Sequence, residues 1–384
     1  MTKHRQPAPA QVFDEARIKM ISCALLRSQG FMQVDIAERM HLSQPEVSRL
    51  LDRATRDGVL RAQPTFLEEK VDIAELDLAR QRVSGNFREV EKQVRKLAPA
   101  GLCFRLHTVS AKDLQAFHDQ AAQVVANLLS GDLIVGTMWG STIDKIIDGV
   151  ARFARPSSNS GLRALPLAGD PLYLLNQENQ QYSASVLAAK LERAFVGKTR
   201  ADLPSLNGVP AYISRQLMTD QKKAAVLNDF IRAIPGYHRI FGPVGYVHRI
   251  DTVLTGVGVF ATSPQQTTAT FIRERERQEG TDFARLRDLI WGDFAGILLP
   301  RNRISAADKN FVKSMNQGWT GVTLDQLKEV ARKAKTGSPP GVIAVGFSAE
   351  NKTGILRESL RRGLINHLVV DEVLAKELTQ PTDD

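Results

Sequence analysis

Over the first sixty residues, apolar side chains recur at the three- and four-residue spacing of a helix face. Ile18, Ile21 and Leu25, with Met20 and Ala24 beside them, predict a helix over residues 12–29, and Gly30 is placed to cap its carboxyl end. A second, shorter helix is expected over Gln33–Met40, with Ile36, Ala37 and Met40 inward. A tight corner at His41-Leu42 then leads to Ser43, which opens a third helix ending near Asp57 and stopped by Gly58. Ser43-Gln44-Pro45-Glu46 has the form of a capping box, and Val47, Leu50 and Leu51 are the expected core face.

Between residues 66 and 100 the texture becomes charged. Val83, Phe87, Val90, Val94 and Leu97 alternate spacings of four and three, a two-heptad seam consistent with one long helix or a pair. An ordinary amphipathic helix packed on the next domain and a dimerising coil both fit it, and Gly85 weakens it. From about residue 102 short apolar runs alternate with helical stretches. The strands expected are 133–135, 162–167, 253–255, 296–299, 342–345 and 367–370; the helices are 111–129, 141–153, 183–194, 220–233, 324–334 and 352–362. Such alternation predicts a mainly parallel sheet covered on both faces. The resulting α/β organisation is a helix-turn-helix domain over 1–64, a helical linker over 65–101 with a possible role in oligomerisation, and a Rossmann-like domain over 102–384.

Composition narrows the function classes. The 384 residues are 43% hydrophobic and 24% charged, which is the make-up of a folded globular chain. No run approaches the ~20 apolar residues of a membrane helix, and residues 1–15 contain no apolar signal segment, so a cytoplasmic protein is expected. Cys23 and Cys103 are too few for a disulfide framework or a cysteine-rich zinc site, and the seven histidines show no helical ligand spacing. No metal and no cofactor is therefore expected. A net charge of +9 favours an anionic partner such as nucleic acid without proving one.

The chemistry of the third helix sharpens that partner. With its apolar face inward, Gln44, Ser48, Arg49 and Arg53 project outward, and Ser43 and Pro45 stand at the leading end, with Gln33 on the preceding helix. Glutamine can pair with adenine and arginine with guanine, so this set mixes base readers with phosphate binders. Arg39, Arg56 and Arg61 add positive charge, while Glu38 and Glu46 keep the surface from being uniformly basic. A plain protein-interaction bundle is the competing reading. The stretch Gln33-Val34-Asp35-Ile36-Ala37-Glu38-Arg39-Met40 followed by Leu42-Ser43-Gln44-Pro45-Glu46-Val47-Ser48-Arg49-Leu50-Leu51 resembles the helix-turn-helix of bacterial transcription regulators, more narrowly the SorC family of sugar-responsive regulators. His41 departs from the glycine usual in such turns, though histidine tolerates a left-handed conformation.

In the larger domain, the expected strand 133–135 runs into Gly136-Thr137-Met138-Trp139-Gly140-Ser141-Thr142 and then a helix. Free amides and the Thr137, Ser141 and Thr142 hydroxyls would cradle an anion, a phosphate above all. Simple capping by Ser141-x-x-Asp144 is the alternative. The turn lacks the Gly-Lys-Ser/Thr ending of a nucleotide P-loop, which argues against ATP or GTP hydrolysis. Gly256-Val257-Gly258-Val259-Phe260-Ala261 matches a dinucleotide fingerprint only formally, since the following Ser263-Pro264 fits poorly with a helix. Gly256 reads instead as a strand end leaving room for a ligand. Lys352, following the strand 342–345, can meet a phosphate or hydroxyl at the carboxyl edge of the sheet.

In this order, residues 136–142, 165–169, 251–258, 292–293 and 350–371 resemble the effector domain of the same SorC family, whose fold is similar to sugar-phosphate isomerases and deaminases. The resemblance implies an effector site of Gly136, Thr137, Trp139, Gly140, Ser141, Thr142, Gly169, Gly256, Asp293 and Lys352, with Asp293 accepting hydrogen bonds from a sugar and Lys352 meeting its far end. Met138, Phe347-Ser348 and extra length around 262–290 depart from the family pattern and leave the ligand open. The expected protein is a non-enzymatic regulator that binds double-stranded operator DNA and a sugar, polyol or sugar phosphate, and acts as a homodimer or homotetramer. An isomerase-like enzyme, using Asp144, Asp293 or Asp371 or a Schiff base on Lys145 or Lys352, is the runner-up. A DNA-binding protein whose second domain is only a scaffold is the third reading.

Overall fold

The three N-terminal helices form where the apolar spacing puts them. In the computed structural model, which describes residues 14–29, 31–60, 71, 75, 79, 87–111, 113–154, 161–171, 182–198, 200, 202–261, 270–335, 339–348 and 352–381, they are α1 (Glu15–Ser28), α2 (Gln33–Met40) and α3 (Gln44–Arg56). Asp14, not residue 12, starts α1, because its carboxylate accepts the Ala16 N–H at 2.9 Å. Gly30 lies outside the described residues. Met20, Ile21, Leu26, Ile36, Val47, Leu51 and Ala54 close one core, while Leu50 is only half-buried. The corner between α2 and α3 is made by His41, left-handed at φ 54°. The capping box at Ser43 does not form: Ser43 makes no side-chain cap bond. Pro45 at the second helical position has no N–H, and the Glu46 N–H goes to the Ser43 carbonyl at 3.0 Å.

The chain divides into two compact units, residues 1–88 with 110–116 and residues 89–109 with 117–384. Of the expected 66–100 helix, α4 (Phe87–Arg95) is described; Val94 is buried on it, and Leu97 falls in a turn after its end. Val83 lies outside the described residues.

The second unit is built on a six-stranded parallel sheet. In chain order its strands are β1 (Arg105–Val109), β2 (Ile134–Thr137), β3 (Arg163–Pro166), β4 (Thr252–Thr255), β8 (Gly341–Gly346) and β9 (His367–Asp371), arranged β1-β9-β8-β4-β2-β3. The helices α5 (Leu114–Leu128), α6 (Ser141–Phe153), α7 (Ala184–Val196), α14 (Leu324–Lys333), α15 (Thr353–Arg361) and α16 (Glu372–Glu377) alternate with them. Three strands were not anticipated from the apolar runs: β1, whose pattern Arg105-Leu106-His107-Thr108-Val109 is mostly polar, β5 (Val257–Gly258) and β6 (Ile290–Phe294). The expected strand 296–299 forms as β7 (Ile297–Pro300), but outside the parallel sheet. It pairs antiparallel with β6, which pairs with β5 (Val257–Gly258), giving a separate three-stranded sheet. The reversal is set by Ala295 and Gly296, both at positive φ, which make the tight turn of a hairpin. Between β3 and β4 lie α8 (Arg215–Thr219), α9 (Gln221–Ala233) and α10 (Pro235–Phe241); α11 (Thr270–Glu279), α12 (Thr281–Leu289) and α13 (Ala306–Asn316) flank the small sheet.

One side chain ties the edge of the parallel sheet together. Asn366, fully buried, accepts the Val342 N–H at 2.9 Å and donates to the Cys103 carbonyl at 2.8 Å and the Ala331 carbonyl at 3.0 Å. It thereby joins the entry to β1, the start of β8 and the end of α14. Replacing it by alanine orphans two buried backbone groups and the half-buried Cys103 carbonyl, at about 1–3 kcal/mol for each buried one. Asn366→Ala is expected to lose about 3 kcal/mol or more in chemical denaturation, and a loss below about 1 kcal/mol would show the clamp to be dispensable.

Candidate functional site

On α3 the side chains divide as the spacing requires. Val47, Leu51 and Ala54 are buried; Ser43, Gln44, Pro45, Arg49 and Arg53 are exposed, and Ser48 and Gln33 are half-buried. Arg49 reaches back toward the Pro45 carbonyl at 3.4 Å, and Arg53 lies 3.6 Å from Asp57. These are loose, solvent-screened contacts that a stronger anion can displace. Arg56 is exposed one turn on; Arg61 lies outside the described residues.

A second site lies at the carboxyl edge of the parallel sheet, where open α/β sheets bind their ligands. After β2 the chain makes the turn 138–140 and enters α6. Gly140, at φ 134°, is its N-cap, and no atom approaches the position a Cβ would take, so this turn is open. Ser141 is therefore the first helical residue and caps nothing. Asp144 is equally occupied elsewhere: its carboxylate takes the Lys190 ammonium at 2.5 Å. The first amides of α6 have no intrahelical acceptor and carry the positive end of the helix dipole. Ser141 is exposed beside them and Thr142 half-buried.

Other members of the predicted set are committed to the fold. The buried Thr137 hydroxyl faces the carbonyls of Leu165 and Ala184, both at 3.3 Å. A Cβ on Gly136 would run into Leu167, and one on Gly169 into the backbone of Val209 and Pro210, so close packing requires both glycines. Trp139 is buried edge-on to Phe271, centroids 5.5 Å apart. Gly256 stands between β4 and β5 with only ordinary contacts to Ile143 and Val345. A strand follows it rather than a helix, so the dinucleotide fingerprint fails.

Asp293 and Lys352 come together. Asp293, on β6, is buried with Oδ1 accepting the Gly296 N–H at 3.0 Å. Burial pushes its carboxyl up to about 6, against the pull of that N–H and of the Arg275 and Lys352 charges. Lys352 is buried at the N-cap of α15, and two residues on, Gly354 admits the Trp291 ring of β6 where a Cβ would clash. Sequence reasoning missed Arg275. It lies in the alternating run Arg273-Glu274-Arg275-Glu276-Arg277, which reads as a solvated helix, yet it is fully buried with its guanidinium 4.0 Å over the Tyr212 ring. The Tyr212 hydroxyl donates to Glu279 at 2.8 Å. It also missed Asp170, just beyond β3, where Oδ2 accepts the Gly208 N–H at 2.8 Å and burial pushes the carboxyl up.

Two of the three carboxylates named for the catalytic alternative are tied into the fold, Asp293 being the third. Asp144 is paired with Lys190, and Asp371 accepts from the Ser348 hydroxyl at 2.6 Å, the Ser348 N–H at 3.1 Å and the Leu374 N–H. Lys145 is exposed on α6. Among the described residues no group of three or more His, Cys, Asp or Glu could hold a metal ion, and no helix is long and apolar enough to cross a membrane.

Asp293 gives the second unit a pH signature. Between its ordinary 3.8 and about 6 the folded chain keeps a proton that the unfolded chain has released, so stability falls as pH rises through that window. His367 acts oppositely: burial and Arg105 hold it at about 4, so the unfolded chain takes up a proton first as pH falls below 6.5. Comparing Asp293→Asn with wild type cancels the histidine. The variant should gain on the order of 2–3 kcal/mol relative to wild type between pH 4 and pH 7; a difference that stays constant over this range would contradict a buried, proton-holding Asp293.

Comparison with known proteins bears on the whole architecture. No family model matches the chain, and no curated protein does. Solved structures do. The full-length sorbitol operon regulator SorC from Klebsiella pneumoniae superposes over 96% of this chain and 100% of its own, at 17% identity and a TM-score of 0.57. A probable sor operon regulator from Shigella flexneri covers 76% of this chain and 99% of its own, at 18% identity and TM-score 0.51. A domain of a possible sugar-binding transcriptional regulator from Arthrobacter aurescens TC1 covers 77% of this chain and 98% of its own, at 20% identity and TM-score 0.50. The chain has, over nearly its full length, the fold of the SorC-type regulators.

Proposed function

We propose that the chain is a DNA-binding transcriptional regulator, not an enzyme, whose operator affinity is set by a sugar, polyol or sugar phosphate. The observation that carries this reading is the pairing, in one chain, of a helix-turn-helix with an exposed Gln44-Arg49-Arg53 face and a parallel sheet edge that offers open amides, a buried carboxylate and a buried lysine. Proteins with the same fold, the sorbitol operon regulators and a possible sugar-binding transcriptional regulator, support it. The α6 amides suit a phosphate. Asp293 and Lys352 suit hydroxyls or a second oxyanion, since the carboxylate accepts and the ammonium donates. Thr137, Gly136 and Gly169 shape the site rather than touch the ligand, while Gly140, Ser141, Thr142, Gly256, Asp293 and Lys352 line it. A single helix-turn-helix contacts few bases, so the chain works as a dimer or tetramer. Ligand binding changes operator affinity through the coupling of two sites. The linker and domain limits at residues 64 and 101 belong to this proposal.

Two measurements test it. In a thermal-shift screen of sugars, polyols and their phosphates, a hit at about a hundredfold its Kd should stabilise the chain by about 2.7 kcal/mol. Thr142→Ala or Lys352→Met should abolish the shift. A panel in which nothing raises the melting temperature would favour a scaffold, and turnover of a sugar phosphate would favour the isomerase reading. In operator selection, Gln44→Ala or Arg49→Ala should relax preference at one position by about 1–3 kcal/mol, whereas Arg56→Ala should weaken all sequences alike and lower the salt slope by about one. Unchanged preference and affinity in all three variants would displace DNA recognition from this face.

A further inference from the structure

Helix α9 is the least buried long element of the described second unit. Its thirteen residues follow the N-cap Asp220, whose Oδ1 accepts the N–H groups of Lys222 at 3.1 Å and Lys223 at 3.2 Å, and only Ile231 among them is buried. On the outer face stand Lys222, Lys223, Val226, Asp229, Phe230 and Ala233, all exposed, with Val226 at 69% and Phe230 at 67%. An isolated helix of this length is marginal in water, and a valine and a phenylalanine four residues apart on an open face add apolar surface that water disfavours.

The charges on this face identify what covers it. In an antiparallel pair of identical helices related by a two-fold axis at Val226, residue 226 + n faces residue 226 − n of the other copy. That places Lys223 against Asp229 of the partner subunit, and Asp229 against Lys223 of the partner subunit, while the two Val226 side chains meet on the axis. It also lays Phe230 on the methylene stem of Lys222 of the partner subunit. A parallel pairing would set lysine against lysine and aspartate against aspartate. Among the described residues, the ion pair Lys223 would give up is a surface contact to Asp220 at 3.4 Å. We propose that α9 is a self-docking surface at which a second copy of this chain binds in antiparallel, two-fold fashion. The proposal rests on the assembly part of the function above and is independent of the ligand and the operator.

Sedimentation equilibrium of the full chain over a wide concentration range tests it, with circular dichroism to verify folding. The wild type should self-associate. Val226→Glu/Phe230→Glu, which changes only exposed positions, should lower the assembly by one step, weakening dimerisation by tenfold or more, about 1.4 kcal/mol. Lys223→Glu and Asp229→Lys alone should each weaken it by about as much, because each sets like charges across the axis twice. Combined in one chain they should restore association close to wild type. Restoration is the result that only an antiparallel self-pairing gives. A folded double-glutamate variant with unchanged assembly, or a charge-swapped chain that fails to recover, would assign the face to another protein and overturn the proposal. A monomeric wild type would overturn the assembly reading as well, while the ligand screen and operator selection would still decide the rest of the function.

Discussion

Charge taken out of water governs the second unit. Arg275, Asp293 and Lys352 are all buried, and a single ion of either sign left there alone would cost several kcal/mol. Their elements are thus bound to one another: Arg275 comes from α11, Asp293 from β6 and Lys352 from the N-cap of α15. The site follows from this balance. Glu279, buried on the other side of Arg275, and Asp293 together match the two cations, and burial holds the Asp293 carboxyl near 6.

Much of the fold was legible because periodicity reports burial. The helices α2 and α6 begin and end where the spacing puts them, and strands such as β4, β8 and β9 announce themselves as β-branched runs because both faces are covered. Failures occurred where burial and composition part company. β1 lies at the edge of its sheet and tolerates Arg105, His107 and Thr108. β7 looked like its parallel neighbours because an apolar run has no direction. Nothing in it distinguishes antiparallel from parallel pairing, and the hairpin turn at Ala295-Gly296 carried that information. The Ser43 motif matched a capping box by residue type, but the Glu46 amide the box needs bonds to the Ser43 carbonyl rather than to its hydroxyl.

The candidate site was legible in its backbone and less so in its side chains. Gly140 and Lys352 could be placed because strand ends and helix starts fix the sheet's carboxyl edge. The hydroxyl of Thr137 could not be oriented, since successive strand residues point to opposite faces and a shift of one residue inverts the answer. Arg275 was hidden by its neighbours: an alternation of arginine and glutamate signals solvent, and only the approach of Tyr212 and Asp293 from distant segments reveals a buried cation.

The single residue between β4 and β5 also fixes a length. Thr137 pairs with Leu254 on β4, and Asp293 pairs with Gly258 on β5, so the strand crossing Gly256 joins the amide turn to the buried carboxylate within four residues. Four extended residues reach no farther than about 14 Å. The backbone is thus a molecular ruler: covalent bonds, rather than packing, limit how far apart its two marks can stand.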